Sequence, residues 1–246
     1  NGDTETCFQI NTVSMIPFVK AIRPNKLRDL SDILALVRPG TLDYIDPNTG
    51  RNMAEEYVER RFGRSKSDIP ELQALIPETH SIIVYQEQSS KIAKELAGMD
   101  PVEAEKLRRA LSKKLKTEVD RFKKVFVEGA KKKVSEDVAE KIWAQIETAS
   151  RYNFNLSHAE SYAMISYTCM FLKYHYPLEW WTAILTNADE KEISTKLFKY
   201  VKDRLAPPDI NLSTDEMVID YSTGTIRSKL TVLRGIKDAG ARPILE

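Results

Sequence analysis

The stretch "RYNFNLSHAESYAMISYTCMFLKYHYPLEWWTAILT", residues 151–186, decides the predicted fold. It contains two of the chain's three histidines, two of its three tryptophans and five of its ten tyrosines. Ser157 and Glu160 fit an S-x-x-E capping box, so we expect a helix to begin at Ser157. Because the residue before a proline disfavours helical backbone, this helix should end before Tyr176-Pro177, and a second helix should follow. Most of the aromatic side chains are therefore expected in a helical core.

Each of these two helices has a predicted inward face, defined by apolar residues spaced three or four positions apart. In the first helix these residues are Tyr162, Ile165, Cys169 and Leu172, and in the second they are Leu178, Trp181 and Leu185.

Helical signals cover about residues 14–204, which predicts a mainly α, multi-helix fold. "KLRDLSDILALV" should form a helix that Arg38-Pro39-Gly40 ends, and Asp100 and Ser135 should cap two further helices. "SIIVYQEQ" begins as a β-branched run before the next helix. The face of the Ser135 helix that should enter the core consists of Val138, Ile142, Ile146 and Ala149.

The pattern changes after residue 204. "LAPPDINLSTDE" is predicted to be a linker, and "MVIDYSTGTIRSKLTVL" two short strands around a turn at Gly224. We therefore predict a helical domain over residues 1–204, followed by a linker and a short C-terminal β-hairpin segment over 205–246. The chain does not begin with Met, which is expected of a piece of a longer polypeptide.

Composition excludes several classes of protein. The 246 residues carry a net charge of +1, with 30% charged and 42% hydrophobic residues, as in ordinary globular proteins. Cys7 and Cys169 lie far apart and lack metal-ligand spacing. No apolar run is long enough for a bilayer, so neither a membrane partner nor a signal peptide is expected. These features predict a reduced, cytoplasmic protein.

A basic segment stands out in this nearly neutral chain. Residues 104–133 contain twelve Lys or Arg and four Asp or Glu, a local excess of eight positive charges. Arg108-Arg109 and Lys113-Lys114 should gather along one side of a helix, and arginine fits phosphate oxygens in pairs. Two interpretations stay open: a solvated charged face, or a strip that binds a triphosphate or a nucleic-acid backbone.

The loop before the Ser157 helix forms a second candidate site. A helix N-terminus offers free amides and a partial positive charge, which favour anions. Arg151, Asn155, Ser157 and His158 cluster there. The loop is either a capped helix start with a surface histidine or a phosphate site.

Catalytic motifs give no support for chemistry on this chain. Phosphoryl transfer needs carboxylates that hold two divalent ions, and no D-x-D pair lies on a predicted strand. A P-loop, G-x-S-x-G and H-E-x-x-H are also missing from the sequence. We therefore assign neither a catalytic residue nor a metal ligand.

Short motifs along the chain match a known family in order and spacing. They are Gly2-Asp3-Thr4 with Phe8-Gln9, Arg38-Pro39-Gly40, Tyr85-Gln86-Glu87-Gln88, "LRRA" at 107–110 with Lys113-Lys114, "FVEGA" at 126–130, "FN-x-SHA" at 154–159, Tyr162-Ala163, "LKYHYPLEWW" at 172–181, "PPDIN" at 207–211 and "GIK" at 235–237. Through them the chain resembles the fingers region of the bacterial C-family replicative DNA polymerases, the DNA polymerase III alpha subunits. The resemblance runs from Gly2 to about Gly240.

The resemblance implies a helical fingers domain that closes over the incoming deoxynucleoside triphosphate (dNTP). The family's catalytic aspartates, and the Mg²⁺ they hold, lie in a palm domain outside this region. The resemblance also implies site residues by position. Arg108 and Arg109 should meet the triphosphate, Arg38, Lys113 and Lys114 should add basic contacts, and Asn155, Ser157, His158 and Tyr162 should line the nucleotide pocket or the nascent base pair. DNA contacts are expected from Arg151, Lys116, Lys123 and Lys124.

The chain departs from the family pattern at several positions. Leu156 stands where the family usually has lysine, and Arg151 and Asn153 replace two glycines. Arg151 could restore the charge lost at Leu156, which is a hypothesis. Ser112 also replaces a glycine, so we expect a divergent member. Past Pro207 the strands resemble the lead-in to a truncated helix-hairpin-helix segment.

The leading hypothesis is the fingers portion of a DNA-directed DNA polymerase, inactive alone. Its expected partners are the dNTP, template-primer DNA, the palm and thumb domains, a sliding clamp and other replisome subunits, with a location at the nucleoid. The alternatives are a non-catalytic nucleic-acid-binding module on the same scaffold, which Leu156 favours, and a structural helical interaction protein.

Overall fold

The architecture is mainly helical, with a small sheet near the C-terminus. The structure is a computed structural model, and it describes residues 2–233, 236, 240, 241 and 243, without the side chains of residues 190 and 194. The α-helices are α1 Met15–Ile22, α2 Leu27–Leu36, α3 Pro39–Asp43, α4 Met53–Arg61, α5 Pro70–Leu75, α6 Gln86–Glu95, α7 Pro101–Ser112, α8 Lys116–Ala130, α9 Glu136–Ala149, α10 Leu156–His175, α11 Pro177–Asn187, α12 Glu190–Glu192 and α13 Phe198–Val201.

Shorter elements complete the architecture. Single turns of 3-10 helix occupy Pro77–Thr79 and Leu230–Val232, and a π-helical turn occupies Ile193–Leu197. By proximity of its residues the chain divides into two compact units, unit 1 Asn1–Tyr167 and unit 2 Thr168–Glu246. The predicted division after residue 204, between helices and hairpin, stays a prediction about domains.

The main core of unit 1 lies between α6, α7, α8 and α9. Val119, Phe122 and Phe126 are buried on one face of α8, as their spacing predicts. Phe126 packs against Trp143 of α9 with ring centroids 5.4 Å apart. The α9 core face differs in part from the prediction, since Ala139 and Trp143 are buried and Val138 lies only at its margin.

Gly129 allows α8 to approach the end of α6. A Cβ at this position would overlap the backbone carbonyl of Ala97. Only glycine leaves room for this contact, so the close packing at this point of the core depends on it.

The predicted helix caps of α7 and α9 are confirmed. The Asp100 carboxylate accepts hydrogen bonds from the amides of Val102 and Glu103, at 2.8 and 3.1 Å. The Ser135 hydroxyl accepts one from the amide of Val138 at 3.3 Å. These caps satisfy amides that the first turn of a helix leaves without partners.

Arg38-Pro39-Gly40 follows the end of α2 as predicted, and two local features of unit 1 go beyond the prediction. Pro39 begins the short helix α3 as well as following α2, because Arg38 is extended and proline suits the first helical position. The "SIIVY" run forms no strand among the described residues; Tyr85 makes an isolated parallel bridge with Phe154. The amides of Val84 and Tyr85 instead donate to the Gln88 side chain, at 2.8 and 3.0 Å.

The start of α10 and its inward face also differ from the prediction. The helix begins at Leu156, one residue early, and Asn155 caps it by accepting from the His158 amide at 2.9 Å. Ala159, Ala163 and Ser166 are the fully buried positions, whereas the predicted core residues Ile165 and Leu172 are 47% and 38% exposed.

The aromatic residues of α10 are largely exposed, so the prediction that they lie in the core is wrong. Tyr167, Phe171, Tyr174 and the following Tyr176 are all in the exposed class, and Tyr174 is 80% exposed. The apolar residues of α10 occur on every side of the helix, so their spacing does not single out a buried face. Small residues occupy the buried side.

Unit 2 has its own apolar core around α11. Trp181 and Leu185 are buried as predicted, and Trp181 stacks on Tyr200 at 5.9 Å. The strands β1 Leu205–Ala206, β2 Val218–Asp220 and β3 Thr225–Arg227 form a sheet in the order β1-β3-β2. Ile226 of β3 is fully buried in this core.

The predicted hairpin is confirmed, and the predicted linker is partly wrong. β2 and β3 pair antiparallel around Gly224, whose φ of 68° suits a tight turn. β1 lies inside the supposed linker and pairs parallel with β3, matching Leu205 to Ile226. The "GIK" motif at 235–237, and most of the expected helix-hairpin-helix lead-in, lie outside the described residues. Over the described part of the chain, the helices are all too short or too polar to cross a bilayer.

Candidate functional site

The N-terminus of α6 is joined to the N-terminus of α10. The Gln86 amide donates to the Phe154 carbonyl, and the Phe154 amide donates to the Val84 carbonyl, both at 2.9 Å. The Glu87 carboxylate accepts from the Asn155 side chain at 2.9 Å and from the Leu156 amide at 3.0 Å. Two helix starts, far apart in sequence, are therefore held at one junction, which we call the α6–α10 junction (residues 84–87 and 154–156).

Arg108 of α7 reaches the same junction. Its Nη1 donates to Gln86 Oε1 at 2.8 Å, while Nε and Nη2 donate to the two oxygens of Glu105, each at 2.8 Å. The hydrogen bonds that Arg108 donates to Glu105 raise the pKa of Arg108 despite partial burial. The structure thus places Arg108 beside the start of α10, as the sequence predicts, with Gln86 and Glu87 between them.

Arg109 shares the Glu105 carboxylate but points toward solvent. Its Nε lies 2.9 Å from Glu105 Oε1, and its side chain is 68% exposed. Hydrogen bonds from Arg108, with those from Arg109 added, lower the pKa of Glu105 to about 2. Glu105 therefore remains ionised and holds both arginines in fixed positions.

Arg38 lines a cavity of about 310 Å³ together with two other predicted residues, His158 and Tyr162. Its guanidinium donates to the carbonyls of Ala35 at 2.8 Å and Tyr152 at 2.7 Å. Burial lowers the pKa of Arg38. The full lining consists of Gln9, Thr12, Ser14, Met15, Leu34, Val37, Arg38, Pro39, Phe154, His158 and Tyr162.

Aromatic rings follow one another along this cavity. The Arg38 guanidinium lies 4.3 Å from the centre of the Phe154 ring. Phe154 and His158 are 5.4 Å apart between centroids, His158 and Tyr162 are 4.1 Å apart, and Tyr162 and Phe8 are 5.2 Å apart. We call this series of rings the ring ladder (Phe154, His158, Tyr162 and Phe8). Flat faces of this kind can stack on a base or a sugar.

The amides of Leu156 and His158, at the start of α10, already have acceptors. The Leu156 amide donates to Glu87, and the His158 amide donates to Asn155, whose Oδ1 also accepts from the Ser157 hydroxyl at 2.8 Å. The Glu87 carboxylate thus lies at the N-terminus of α10, where the sequence analysis considers a phosphate site. A phosphate would have to displace Glu87 to reach this helix end.

The other predicted cations lie on exposed surface. Lys113 and Lys114 follow the end of α7, and Lys116 and Lys124 are exposed on α8. They stand apart from the contacts that define the α6–α10 junction, as does exposed Arg151.

Acidic partners neutralise part of the basic segment. Lys123 Nζ lies 2.7 Å from Glu140, and hydrogen bonding to this carboxylate raises the pKa of Lys123. Arg121 pairs with Glu118 at 3.0 Å, and Lys131 pairs with Glu128 at 3.3 Å. Glu118 and Glu128 are already subtracted in the sequence count, so of these three pairs the one with Glu140, outside the segment, lowers the local excess below eight.

A buried polar cluster supports the junction from behind. Asp32 of α2 accepts hydrogen bonds from the hydroxyls of Tyr57 at 2.7 Å and Tyr85 at 2.6 Å, and Arg28 Nε lies 3.2 Å away. Burial raises the pKa of Asp32 and of both tyrosines, so the phenols stay protonated and act as donors. Tyr85 directly precedes α6, so this cluster fixes the residue that leads into the junction.

Gln86, Glu87 and Glu105, together with Phe154 and Phe8 of the ring ladder, are not among the predicted site residues. Gln86 and Glu87 lie in a motif used as a family landmark, and Glu105 counted only as one of four acids in the basic segment. The one available signal was an acid near the start of α6, which has an ordinary explanation in the helix dipole. Their roles depend on contacts with residues far away in sequence.

The described residues offer no candidate metal centre. Across residues 2–233 and the few described beyond them, no group of three His, Cys, Asp or Glu side chains could hold an ion. Glu105 is tied to two arginines and Glu87 to the start of α10. These residues do not fit the Mg²⁺ that the resemblance implies.

Comparison with known families identifies the chain. Residues 1–134 match the family profile of the bacterial DNA polymerase III alpha subunit finger domain. The chain belongs to this family.

Curated relatives share sequence over essentially the whole chain. DNA polymerase III subunit alpha of Thermus aquaticus is 33% identical over 256 residues, covering 100% of this chain and 20% of the relative. The proteins of the same name from Bacillus subtilis (strain 168) and Aquifex aeolicus (strain VF5) are 35% and 33% identical over 250 and 254 residues, covering 99% and 100% of this chain and 21% of each relative. The chain thus spans about a fifth of the length of these relatives.

Proposed function

We propose that this chain is the part of a DNA-directed DNA polymerase that binds and positions the incoming dNTP. The observation that carries the proposal is the hydrogen bond from Arg108 to Gln86, whose amide in turn donates to the carbonyl of Phe154, the first ring of the ring ladder. Family membership supports a role in a polymerase. The catalytic aspartates and their Mg²⁺ belong to another part of the polymerase.

Arg108 and Arg109 are proposed to bind the triphosphate. Glu105 pairs with both guanidinium groups in the structure. A triphosphate carries more negative charge than one carboxylate and accepts bidentate hydrogen bonds from arginine, so it can replace Glu105 as their partner. Lys113 and Lys114 would add longer-range attraction. Neutralising charge at the phosphates and holding them in place provide most of the catalysis in phosphoryl transfer.

The ring ladder is proposed to contact the base or sugar of the nucleotide. Arg38 holds the Phe154 ring from one side, and His158 and Tyr162 continue the stack. Asn155 and Ser157 fix the start of α10, from which His158 and Tyr162 project. A rigid stack positions the nucleotide without a large loss of side-chain entropy.

Template-primer DNA is the proposed partner of the exposed cations. Lys116 and Lys124 are exposed on α8, and Arg151 follows α9. Lys123 would first have to leave Glu140. The palm and thumb domains, a sliding clamp and other replisome subunits are further proposed partners, on the grounds of family membership alone.

Substitution of Arg108 tests the proposal. In the polymerase that contains this chain, primer extension is measured as a function of dNTP concentration. Arg108→Ala should lower kcat/KM for dNTP by roughly a hundredfold, the value of a lost charge-assisted contact. Lys106→Ala, at an exposed position of the same helix, is the matched control and should change little. Equal effects of the two variants would refute the nucleotide site.

A second candidate function is a non-catalytic nucleic-acid-binding module. Leu156, which replaces the lysine usual in the family and has its amide on Glu87, favours it. The longer protein that contains this chain would then extend no primer with any dNTP. The chain would still bind DNA, with an affinity that falls steeply as salt increases.

A further inference from the structure

Unit 1 contains a second cavity, of about 370 Å³, which shares no lining residue with the cavity at Arg38. It lies between α4, α9, the 44–51 loop and residues 81–83. Its volume falls in the range of small-molecule sites in proteins. The function proposed above makes no use of it.

Two tyrosine rings and an apolar wall give this cavity flat faces. Tyr44 and Tyr152 lie with their ring centroids 5.6 Å apart and their planes tilted by 40°. Ile82 and Ile83 are buried residues of the lining, and Met53 adds a thioether to it. A thin, planar ligand suits such walls better than a bulky aliphatic one, because stacking on aromatic rings rewards flat shape.

The charged side chains of the lining balance one another. Glu56 accepts from Arg60 at 2.8 Å and from Arg51 at 3.2 Å. Asp46 accepts from the amide of Asn48 at 2.7 Å. Two arginines and two carboxylates therefore leave no net charge, so the cavity does not favour an anion such as a phosphate.

Neutral polar groups in the lining remain available for a ligand. Within the described part of the chain, the side chains of Tyr44, Gln145, Thr148 and Tyr152 have no hydrogen-bond partner. Burial raises the pKa of Tyr44, with Asp46 and Tyr152 adding to the effect, so this phenol stays protonated and can donate. Gln145 and Thr148 both donate and accept. These groups match the edge of a nitrogen heterocycle.

We propose that this cavity binds an uncharged planar heterocycle, stacked against Tyr44 and Tyr152 and hydrogen-bonded at its edge by Gln145 and Thr148. The site does not depend on the proposed nucleotide function, and its failure would leave that function untouched.

Titration with adenine tests the site. Adenine is planar and uncharged at neutral pH, and it is added to the 246-residue chain labelled with ¹⁵N while amide chemical shifts are recorded by NMR. We expect saturable shifts at Ile82, Ile83, Gln145, Thr148 and Tyr152, with a Kd of roughly 0.1–1 mM, as the ligand efficiency of a molecule this small allows. Shifts that do not saturate, or that occur only at His158 and Tyr162, would overturn the proposal.

Matched variants locate the binding. Thr148→Trp fills the cavity and should abolish the shifts, whereas Glu147→Trp, on the exposed face of the same helix turn, should leave them. If Thr148→Trp does not fold, Gln145→Ala removes one edge contact and should weaken binding several-fold. Binding that persists unchanged in either cavity variant refutes the site.

A nucleotide separates this site from the proposed nucleotide site. Adenosine monophosphate should shift the cavity amides no more strongly than adenine, because the lining offers no net positive charge. Shifts that it causes near Arg108 or His158 would report the other site. A tighter response of the cavity amides to the nucleotide than to adenine would contradict the neutral-ligand proposal.

Discussion

Glu105 is the residue on which the state of the two proposed phosphate-binding arginines depends. It receives hydrogen bonds from Arg108 and Arg109, and its pKa falls to about 2 as a result. A carboxylate whose pKa is lowered in the folded state stabilises that state above its unfolded pKa, and this stabilisation is lost as pH falls toward the lowered value. At neutral pH Glu105 is therefore a fully charged partner of both arginines, which a nucleotide would replace in the proposed function.

Removal of Arg108 should raise the pKa of Glu105. The expected measurement is a ¹³C NMR titration of the Glu105 side-chain carboxyl in the native chain and in Arg108→Ala. The native carboxyl should titrate near 2, and the variant should titrate at a higher pH while Arg109 still holds it below its usual value. Lys106→Ala serves as the control, and an unchanged Glu105 pKa in Arg108→Ala would show that the contact does not form in solution.

At the scale of single residues, the sequence names the arginines as candidates but does not indicate their hydrogen-bond partners. The resemblance names Arg108, His158 and Tyr162 as site residues, and their role stays a prediction. Arg108 lies at the α6–α10 junction, and His158 and Tyr162 line the cavity at Arg38. Glu87 accepts a hydrogen bond from the side chain of Asn155, which is 68 residues away in the chain. No spacing rule links such residues, so only the folded chain reveals the pair.

The α6–α10 junction is the element-scale feature on which the candidate site depends. Glu87 accepts from the first amide of α10 and from the side chain of its capping residue Asn155. It therefore acts as a negative group at a helix N-terminus, where the helix dipole favours it.

Glu87→Gln should loosen the start of α10. The amide side chain retains one acceptor oxygen and brings in donors that repel one of the two original donors, so we expect a loss of about 1–2 kcal/mol in stability. Hydrogen exchange at Leu156, Ser157 and His158 should become faster. Glu103→Gln, exposed in the first turn of α7, is the control. Native exchange rates in Glu87→Gln would mean that the junction does not hold the helix start.

Gly129 allows a test of packing between α8 and the end of α6. Alanine favours helix more than glycine does, yet its Cβ would overlap the carbonyl of Ala97. We therefore expect Gly129→Ala to lower the free energy of unfolding in urea by about 1–3 kcal/mol. Lys124→Ala, at an exposed position of α8, should change it little. A stabilised Gly129→Ala variant would contradict the packing described for this core.

Elements with a clear apolar stripe were predicted well, and α10 was not. The buried face of α8 follows from Val119, Phe122 and Phe126, and the caps of α7 and α9 follow from Asp100 and Ser135. In α10 large apolar residues occur on every side, so neither pattern nor composition separates a face that packs in this chain from one that does not. β1 was missed because two residues give no alternation to detect.

At the scale of the whole molecule, the net charge does not describe the charge that individual parts of the surface carry. The chain carries a net charge of +1, but among the described residues exposed Lys116 and Lys124 have no carboxylate partner such as Glu140 provides for Lys123. Affinity for DNA should therefore depend on a few side chains.

Salt titration of DNA binding tests this distribution. For the 246-residue chain, Lys116→Ala and Lys124→Ala should each reduce the slope of log K against log salt by about 1, since each lost phosphate contact removes one released counterion. Lys141→Ala, whose lysine pairs with Asp137 on α9, is the control and should leave the slope unchanged. Slopes that are flat in all of these proteins would favour a structural protein over a nucleic-acid-binding one.

The link between Tyr152 and Arg38 has a pharmacological consequence. The Tyr152 ring lines the larger cavity, while its carbonyl accepts from Arg38 at 2.7 Å in the smaller one. On the two proposals above, a compound stacked on that ring would contact the residue whose carbonyl accepts from Arg38 and would leave the proposed nucleotide site open, so we expect inhibition that is non-competitive with dNTP. Resistance to such a compound should then arise by substitutions at Tyr44 or Thr148, because neither residue lines the cavity at Arg38.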